Sequence, residues 1–385
     1  PGGTLWAMRG LDRFIAFDRE RGVLECEAGV TLQEVTRAVL PHGWFLAVTP
    51  GTQYITVGGA IANDVHGKNH HRGGSFGDHV ERLVLQRTDG QLIECGPGLN
   101  EPWFRATVGG LGLTGVITRA TLRLRPVPGP WIESEALTFE SVAEFVALSD
   151  ASAAGWEYIV AWIDCLATRG QRLRGVLFRG NHVADARPLP PRRTLRWPFT
   201  PPLSLVNGVT LRAFNALYWQ RQHAVSGRRV RQPYEPFFYP LDGLLDWNRM
   251  YGPRGFYQYQ CVLPPPHQQE AAAELLGLIA GSGSGSFLGV IKTFGEREAP
   301  GLLSFPMPGI TIALDFPNRG AATLQLFERL NAVVQGAGGR LYPAKDACMP
   351  RELFERGYPR LDEFRSFRDP GISSRLSRRL LGDQT

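Results

Sequence analysis

Short apolar runs broken by glycine, proline and charge dominate this chain, and two textures succeed each other along it. Residues 13–28 read as two short strands about a turn at 19–22. Residues 31–40 carry apolar positions at helical spacing, and Thr31 followed by Glu34 predicts a capping box that satisfies the first free amides of that helix. Residues 80–87 and 91–95 flank Asp89-Gly90, the dipeptide that favours the tight turn of a hairpin. A strand over 115–124 then leads to Pro126-Val127-Pro128-Gly129-Pro130, a predicted boundary. Beyond it, strands over 157–163, 258–263, 287–293 and 310–316 alternate with helices near 140–149, 268–280 and 320–336. This pattern predicts an α+β fold with a mainly antiparallel sheet. Residues 187–202, dense in proline and arginine, are expected to form an irregular surface loop.

The length of 385 residues exceeds what one hydrophobic core usually serves, so two domains are expected. The longest stretch lacking Asp, Glu, Lys and Arg, from Ala38 to Asn63, is broken by Pro41, Gly43, Pro50, Gly51 and Gly58-Gly59, which argues against a membrane span. No apolar signal-peptide core opens the chain. Its net charge of +6 is carried by scattered arginines, except in 187–197 and 365–379, so nucleic acid is not the expected partner. Five cysteines without a Cys-x-x-Cys pair indicate neither a disulfide framework nor a zinc site, and fit a reducing, cytoplasmic or membrane-peripheral setting. Because the chain begins at Pro1 and a strand follows within a few residues, a segment upstream is expected.

Of 42 basic residues only three are lysine: Lys68, Lys292 and Lys345. Where positive charge alone would serve, this chain uses arginine, so a retained lysine points to a need for a compact ammonium with a movable pKa. Lys68 lies in His66-Gly67-Lys68-Asn69-His70-His71, beside Gly73, Gly74 and Gly77, a run read as too polar and too flexible for core. Just before it, Thr56-Val57-Gly58-Gly59-Ala60-Ile61-Ala62 combines a glycine pair with a short helical run whose first amides are expected to face a diphosphate or a flavin edge. The three clustered histidines offer a metal site as an alternative, which Gly67 and Gly73 oppose. No metal is expected. Gly110-Leu111-Gly112-Leu113-Thr114-Gly115 has the dinucleotide spacing, but the β-branched run after it predicts a glycine turn into a strand, not a Rossmann helix.

Pro50-Gly51-Thr52, the 56–62 segment, 66–71, Gly74-Ser75-Phe76-Gly77 and Ala106 to Gly115 together resemble the flavin-binding core of the vanillyl-alcohol-oxidase superfamily, with its PCMH-type FAD-binding fold. Trp247 to Pro253, Tyr257-Gln258-Tyr259-Gln260, Leu303-Ser304-Phe305-Pro306 and Gly339 to Asp346 extend the likeness over nearly the whole chain, and within that superfamily it is to the decaprenylphosphoryl-β-D-ribose oxidases.

The resemblance implies FAD as cofactor, held by Gly51, Thr52, Thr56, Val57, Gly58, Gly59, Asn63, Asp64, Val65, His66, Gly67, Ile117, Tyr342 and Lys345. It implies a substrate pocket lined by Lys68, Tyr251, Gln258, Gln260, Lys292, Thr311 and Ala313. It further implies an FAD-binding domain over 1–130 whose diphosphate loop lies before this chain, a substrate domain over 131–339, and a segment over 340–385 returning to the first. The reaction would be oxidation of the C2′ hydroxyl of a lipid-linked phosphoribose, with a keto-sugar reductase as partner and peripheral membrane contact. Trp197, Phe199, Leu203, Leu205, Val206 and Phe214 among the arginines of 187–235 favour a greasy, cationic entrance there for a polyprenyl phosphate. Lys345 is the candidate to orient or deprotonate that hydroxyl, with His66 as competitor and Tyr342 beside the flavin; an ion pair between Lys345 and Asp346 is the plain structural alternative. Thr311 and Ala313 stand where the family has an asparagine and a cysteine, and Asn63 where it has a cysteine. A general sugar or alditol oxidase, and a cofactor-free scaffold, are the other readings.

Overall fold

In the computed structural model, which describes residues 6–167 and 172–382, the chain builds two antiparallel sheets joined at one junction. The Pro1 opening lies outside the described residues. Strands β1 (Phe14–Asp18) and β2 (Val23–Glu27) pair antiparallel as the alternation predicts. Helix α1 (Leu32–Val39) starts at Thr31, whose hydroxyl accepts from the Glu34 amide at 3.2 Å while Glu34 accepts from the Thr31 amide at 2.7 Å, the predicted capping box. After β3 (Trp44–Leu46) and the short helices α2 (Val57–Ala62) and α3 (His70–Gly73), β4 (Val80–Gln86) and β5 (Leu92–Cys95) form the Asp89-Gly90 hairpin. Helix α4 (Glu101–Thr107) and the glycine turn then deliver β6 (Val116–Pro126) to the middle of this first sheet, in the order β1-β2-β6-β4-β5 with β3 also on β6. Only glycine fits at 115, where φ is +149° and a Cβ would stand 2.9 Å from the Gln86 carbonyl oxygen.

Past the predicted boundary, β7 (Trp131–Phe139), helix α5 (Val142–Ala153), β8 (Tyr158–Ile163) and β9 (Gly175–Val183) open a larger sheet. The arginine- and proline-rich stretch is irregular apart from a two-residue strand, β10 (Leu195–Arg196), a small correction to the expected loop: Leu195 and Arg196 pair in parallel with β12 (Leu244–Leu245), which follows α6 (Gly208–His223), β11 (Arg229–Pro233) and α7 (Tyr234–Phe238). The large sheet is completed by β13 (Phe256–Leu263), β14 (Gly289–Phe294), β15 (Gly309–Pro317) and β16 (Arg340–Leu341), with helices α8 (Gln268–Ser282) and α9 (Ala321–Gly336) between them. Its order is β11-β7-β9-β8-β14-β15-β13-β16.

Alternation along the last strands divides their residues cleanly. Tyr259, Cys261, Ile291, Ile310, Ile312 and Leu314 enter a core shared with α5, α8 and α9, leaving Gln258, Gln260, Lys292, Thr311, Ala313 and Asp315 for the opposite face. A second core fills the space behind the first sheet, from Leu24 and Val35 to Phe104 and Leu122. The residues from Arg340 onward touch both parts: β16 pairs with β13, while the Thr88 amide donates to Asp369 at 2.7 Å and Asp369 donates its own amide to the Leu113 carbonyl.

Candidate active site at the junction of the two sheets

The polar face of β13, β14 and β15 meets the 63–71 segment of the first part. Cross-strand pairing sets Lys292 opposite Thr311, Gln260 opposite Ala313 and Gln258 opposite Asp315. From the other side His66 enters this face. Lys292 Nζ lies 2.7 Å from His66 Nδ1 and donates to the Gly67 carbonyl at 3.1 Å; Gln260 Nε2 lies 2.9 Å from His66 Nε2 and 3.2 Å from Thr311 Oγ1. Phe294 and Tyr342 flank the imidazole, at ring-centroid distances of 4.9 and 5.5 Å, and Phe305 stacks on Tyr342 at 4.6 Å. The Tyr342 hydroxyl donates to the Asn63 carbonyl at 2.8 Å, tying the last segment to the end of α2.

Lys345 donates to Gln258 Oε1 at 3.0 Å, and Asp315 is the carboxylate that raises its proton affinity. The plain alternative of a Lys345–Asp346 pair is not what forms: Asp346 instead binds Arg379 at 2.5 Å and the amides of Cys348 and Met349. Among the described residues none of the three lysines forms an ion pair with a carboxylate. Burial pushes the Lys68 ammonium down to about 8, burial and then repulsion from Lys68 and Lys345 push Lys292 well below the usual amine range, and burial lowers Lys345. His66 is held neutral by burial and by neighbouring Lys292. Burial lifts Asp315 to about 6, against the pull of Lys345.

Two expectations need correction. The first amides of α2 do not face outward: Val57 and Gly58 donate to the carbonyls of Val30 and Ala28 at 2.8 Å, and Gly59 to Thr56 Oγ1. Gly58 is small because α2 packs against that segment, where a Cβ would lie 3.0 Å from Ala28 Cβ. The histidine-rich run, read as too polar for core, is largely buried because its polar groups find partners across the junction. Asn69 donates to the Ala47 carbonyl and to Glu157, Ile159 donates its amide to the Lys68 carbonyl, and His71 Nε2 lies 3.2 Å from the Trp156 carbonyl. Asp64, at φ +39°, accepts from Ser75, from the Gly77 amide and from Ser304, so it fastens the two parts together. Val65 and Gly67 are buried in the same run.

His66, Gln258, Gln260, Lys292, Thr311, Tyr342 and Lys345 are thus brought into one network, with Lys68 close enough to repel Lys292 and Ala313 between the rows. Tyr251 stands beside it, its ring stacked on Phe256 at 4.5 Å and its hydroxyl raised by burial and by Asp315. Gly51, Thr52 and Ile117 share no hydrogen bond with the network among the described residues; Ile117 pairs with Leu85 inside the first sheet. Three contributors were not among the site residues read from the sequence: Asp315, Phe294 and Ser304, the last named there only within a motif of the resemblance. Asp315 was within reach, since it continues the parity of Thr311 and Ala313.

Residues 1–96 match the family described as FAD binding domain. The chain is 37% identical to decaprenylphosphoryl-β-D-ribose oxidase of Mycolicibacterium smegmatis, over 98% of this chain and 85% of that protein. It belongs to the decaprenylphosphoryl-β-D-ribose oxidase family. The chain is also 34% identical to an uncharacterized protein in the mprA 5′ region of Streptomyces coelicolor, over 91% of this chain and all of that one. With cytokinin dehydrogenase 10 of Oryza sativa subsp. japonica the likeness, 33% identity, is confined to 38% of this chain and 27% of the other.

As a member of this oxidase family the chain is an FAD-dependent oxidoreductase with an α+β, PCMH-type fold. The residues at the junction fit that cofactor. Three lysine amines without a carboxylate ion pair among the described residues make a donor-rich wall suited to the carbonyl edge of a flavin, and the buried Asp315 Oδ1, without a hydrogen-bond partner there, is an acceptor open to a donor. Tyr342 and His66 lie side by side at this wall, with ring centroids 5.5 Å apart, and Lys345 follows Tyr342 in the chain.

Proposed function

We propose that this chain oxidises the C2′ hydroxyl of a polyprenyl-phosphoryl-β-D-ribose to the 2′-keto sugar, the first half of an epimerisation to the arabinose donor for cell-wall arabinan. Bound FAD supplies the two-electron acceptor. The observation that carries the reading is the convergence of all three lysines of the chain on one polar strand face, without a carboxylate ion pair among the described residues. Lys345, whose proton affinity is lowered by burial, is the group that orients the hydroxyl and takes its proton. Both ring nitrogens of His66 already face protein partners, which favours His66 as the part that positions Lys292 and Gln260 and not as the base. Lys68 and Lys292 hold the phosphodiester, and Gln258 and Gln260 supply the hydrogen bonds to sugar hydroxyls. An NAD(P)H-dependent keto-sugar reductase is the partner that would complete the epimerisation.

The test is an anaerobic titration of the FAD-loaded protein with a polyprenyl-phosphoribose and, separately, with free alditols. Bleaching of the flavin absorbance by the lipid sugar alone supports the proposal. Bleaching by alditols would replace it with a general sugar oxidase, and failure to take up FAD would leave a scaffold.

A further inference from the structure

We infer that the arginine-rich segment before α6, together with the outward face of α6, is a docking surface for an anionic lipid bilayer. Residues 187–234 hold nine arginines and not one aspartate or glutamate. Among the described residues, ten of the seventeen exposed large hydrophobic side chains fall between Leu189 and Val230. Such a concentration of exposed apolar groups and uncompensated cations in one stretch is the composition of an interfacial surface, not of a folded interior.

The geometry sharpens this. At ~100° per residue, Val209, Ala213, Ala216, Leu217 and Gln220 share one outward arc of α6, with Arg212 on one flank and Arg221 on the other. Val209 is 77% exposed and Leu217 68%, whereas the opposite side of the helix is anchored: Leu211 is buried, and Asn215 donates to Asp164 at 2.8 Å. Leu195, Phe199 and Leu203 are further exposed apolar side chains of the segment that leads into the helix. Arg187, Arg192, Arg196, Arg229 and Arg231 find carboxylates on neighbouring elements, but Arg193, Arg212, Arg221 and Arg228 make no ion pair among the described residues. A bilayer with anionic headgroups satisfies both halves of this surface at once, taking the apolar arc into the headgroup boundary and the flanking guanidinium groups onto phosphate. No helix of the described residues is long and apolar enough to cross a membrane, so the contact lies in the interface plane.

The segment is also tied, by its buried side, to residues beside the site. Val206 and Leu211 pack with Tyr251, and the Leu205 amide donates to the Met250 carbonyl at 2.9 Å, so the segment is fastened to the residues that flank Asp315. A lipid-borne substrate would thereby be met where its tail lies. That consequence rests on the proposed function; the docking itself does not.

Flotation of the FAD-loaded, full-length protein with vesicles of phosphatidylcholine, with and without phosphatidylglycerol, tests docking without reading oxidation. Binding to the anionic vesicles that weakens with salt is expected, and Val209→Glu/Leu217→Glu and Arg212→Ser/Arg221→Ser should each weaken it roughly tenfold or more. Circular dichroism and FAD content show whether these surface variants remain folded. Wild-type protein that stays off anionic vesicles, folded variants that bind as well as wild type, or a concentration-dependent dimer lost in the same variants would overturn the proposal, the last by assigning the face to a second copy.

Discussion

Lys292 Nζ stands 2.7 Å from His66 Nδ1, and it does so while Gln260 occupies the other ring nitrogen at 2.9 Å. A neutral imidazole carries one N–H, so one of these two neighbours must act as the acceptor. Either Lys292 is an uncharged amine receiving Nδ1–H, or the Gln260 amide turns its oxygen to Nε2–H and takes the Thr311 hydroxyl as second donor. The charge on one lysine and the orientation of one amide are therefore coupled through this ring.

Removing that lysine relieves the repulsion that, after burial, holds His66 neutral. Lys292→Met should raise the His66 pKa toward its ordinary value, as read by a pH titration of histidine-labelled protein by nitrogen-15 NMR. A pKa that stays where it was, or falls, would remove Lys292 from the account.

Lys345→Met should slow anaerobic flavin reduction by roughly a hundredfold or more, the usual worth of a general base, with FAD content measured in the same sample. Lys345→Arg should not rescue it, because a guanidinium keeps its proton. In the unsubstituted protein the reduction rate should rise with pH through the lowered Lys345 pKa and then level off. Asp315 favours the protonated lysine, so Asp315→Asn should move that rising limb to lower pH; an unmoved limb would refute the coupling.

Burial lowers His182 to about 4, below the ordinary value of about 6.5 that it regains on unfolding. Its ring nitrogen Nδ1 sits 2.8 Å from the Gly129 carbonyl, stacked near Phe45 and Phe238. Between those two values the unfolded chain takes up a proton that the folded chain does not, so stability is full above the higher value and is lost as pH falls toward the lower. Asp64 and Asp315, each raised to about 6, work in the opposite sense, so the comparison is with His182→Phe. That variant should lose up to ~1.4 kcal/mol per pH unit of the wild-type slope, measured by urea unfolding across the acid range. Identical slopes would show that the histidine is not the group responsible.

Cys26, Cys95, Cys165 and Cys261 are buried with thiols pushed up to about 12, leaving Cys348 as the accessible one. A thiol reagent on the native protein should modify Cys348 alone. Ala313→Cys should add a second, faster-reacting thiol, because position 313 faces the lysines, which favour thiolate. Failure of that thiol to react would mean that the face is closed to small molecules.

Asp64 is fully enclosed and accepts from Ser75, Gly77 and Ser304 across the junction. Asp64→Ala strands these donors and should cost about 2–4 kcal/mol in chemical denaturation, with FAD retained less tightly. A loss below ~1 kcal/mol would assign the joint to packing alone.

What could be read from the chain alone was whatever short-range chemistry controls. Thr31 with Glu34 caps a helix, Asp89-Gly90 turns a hairpin, and the period of two along 256–263 and 309–317 separates Gln258, Gln260, Thr311 and Ala313 from the core side, because each depends only on residues a few positions apart. The rarity of lysine singled out Lys68, Lys292 and Lys345 before any geometry was known. Tertiary structure decided the rest, since it depends on partners far along the chain. The amides of Val57 and Gly58 are consumed by carbonyls 27 and 30 residues away, the histidine-rich run is buried by partners near 156–159, and Asp346 is taken by Arg379, leaving Lys345 to Gln258. A donor's identity is local, but whether another group has already claimed it is settled only when the chain has folded.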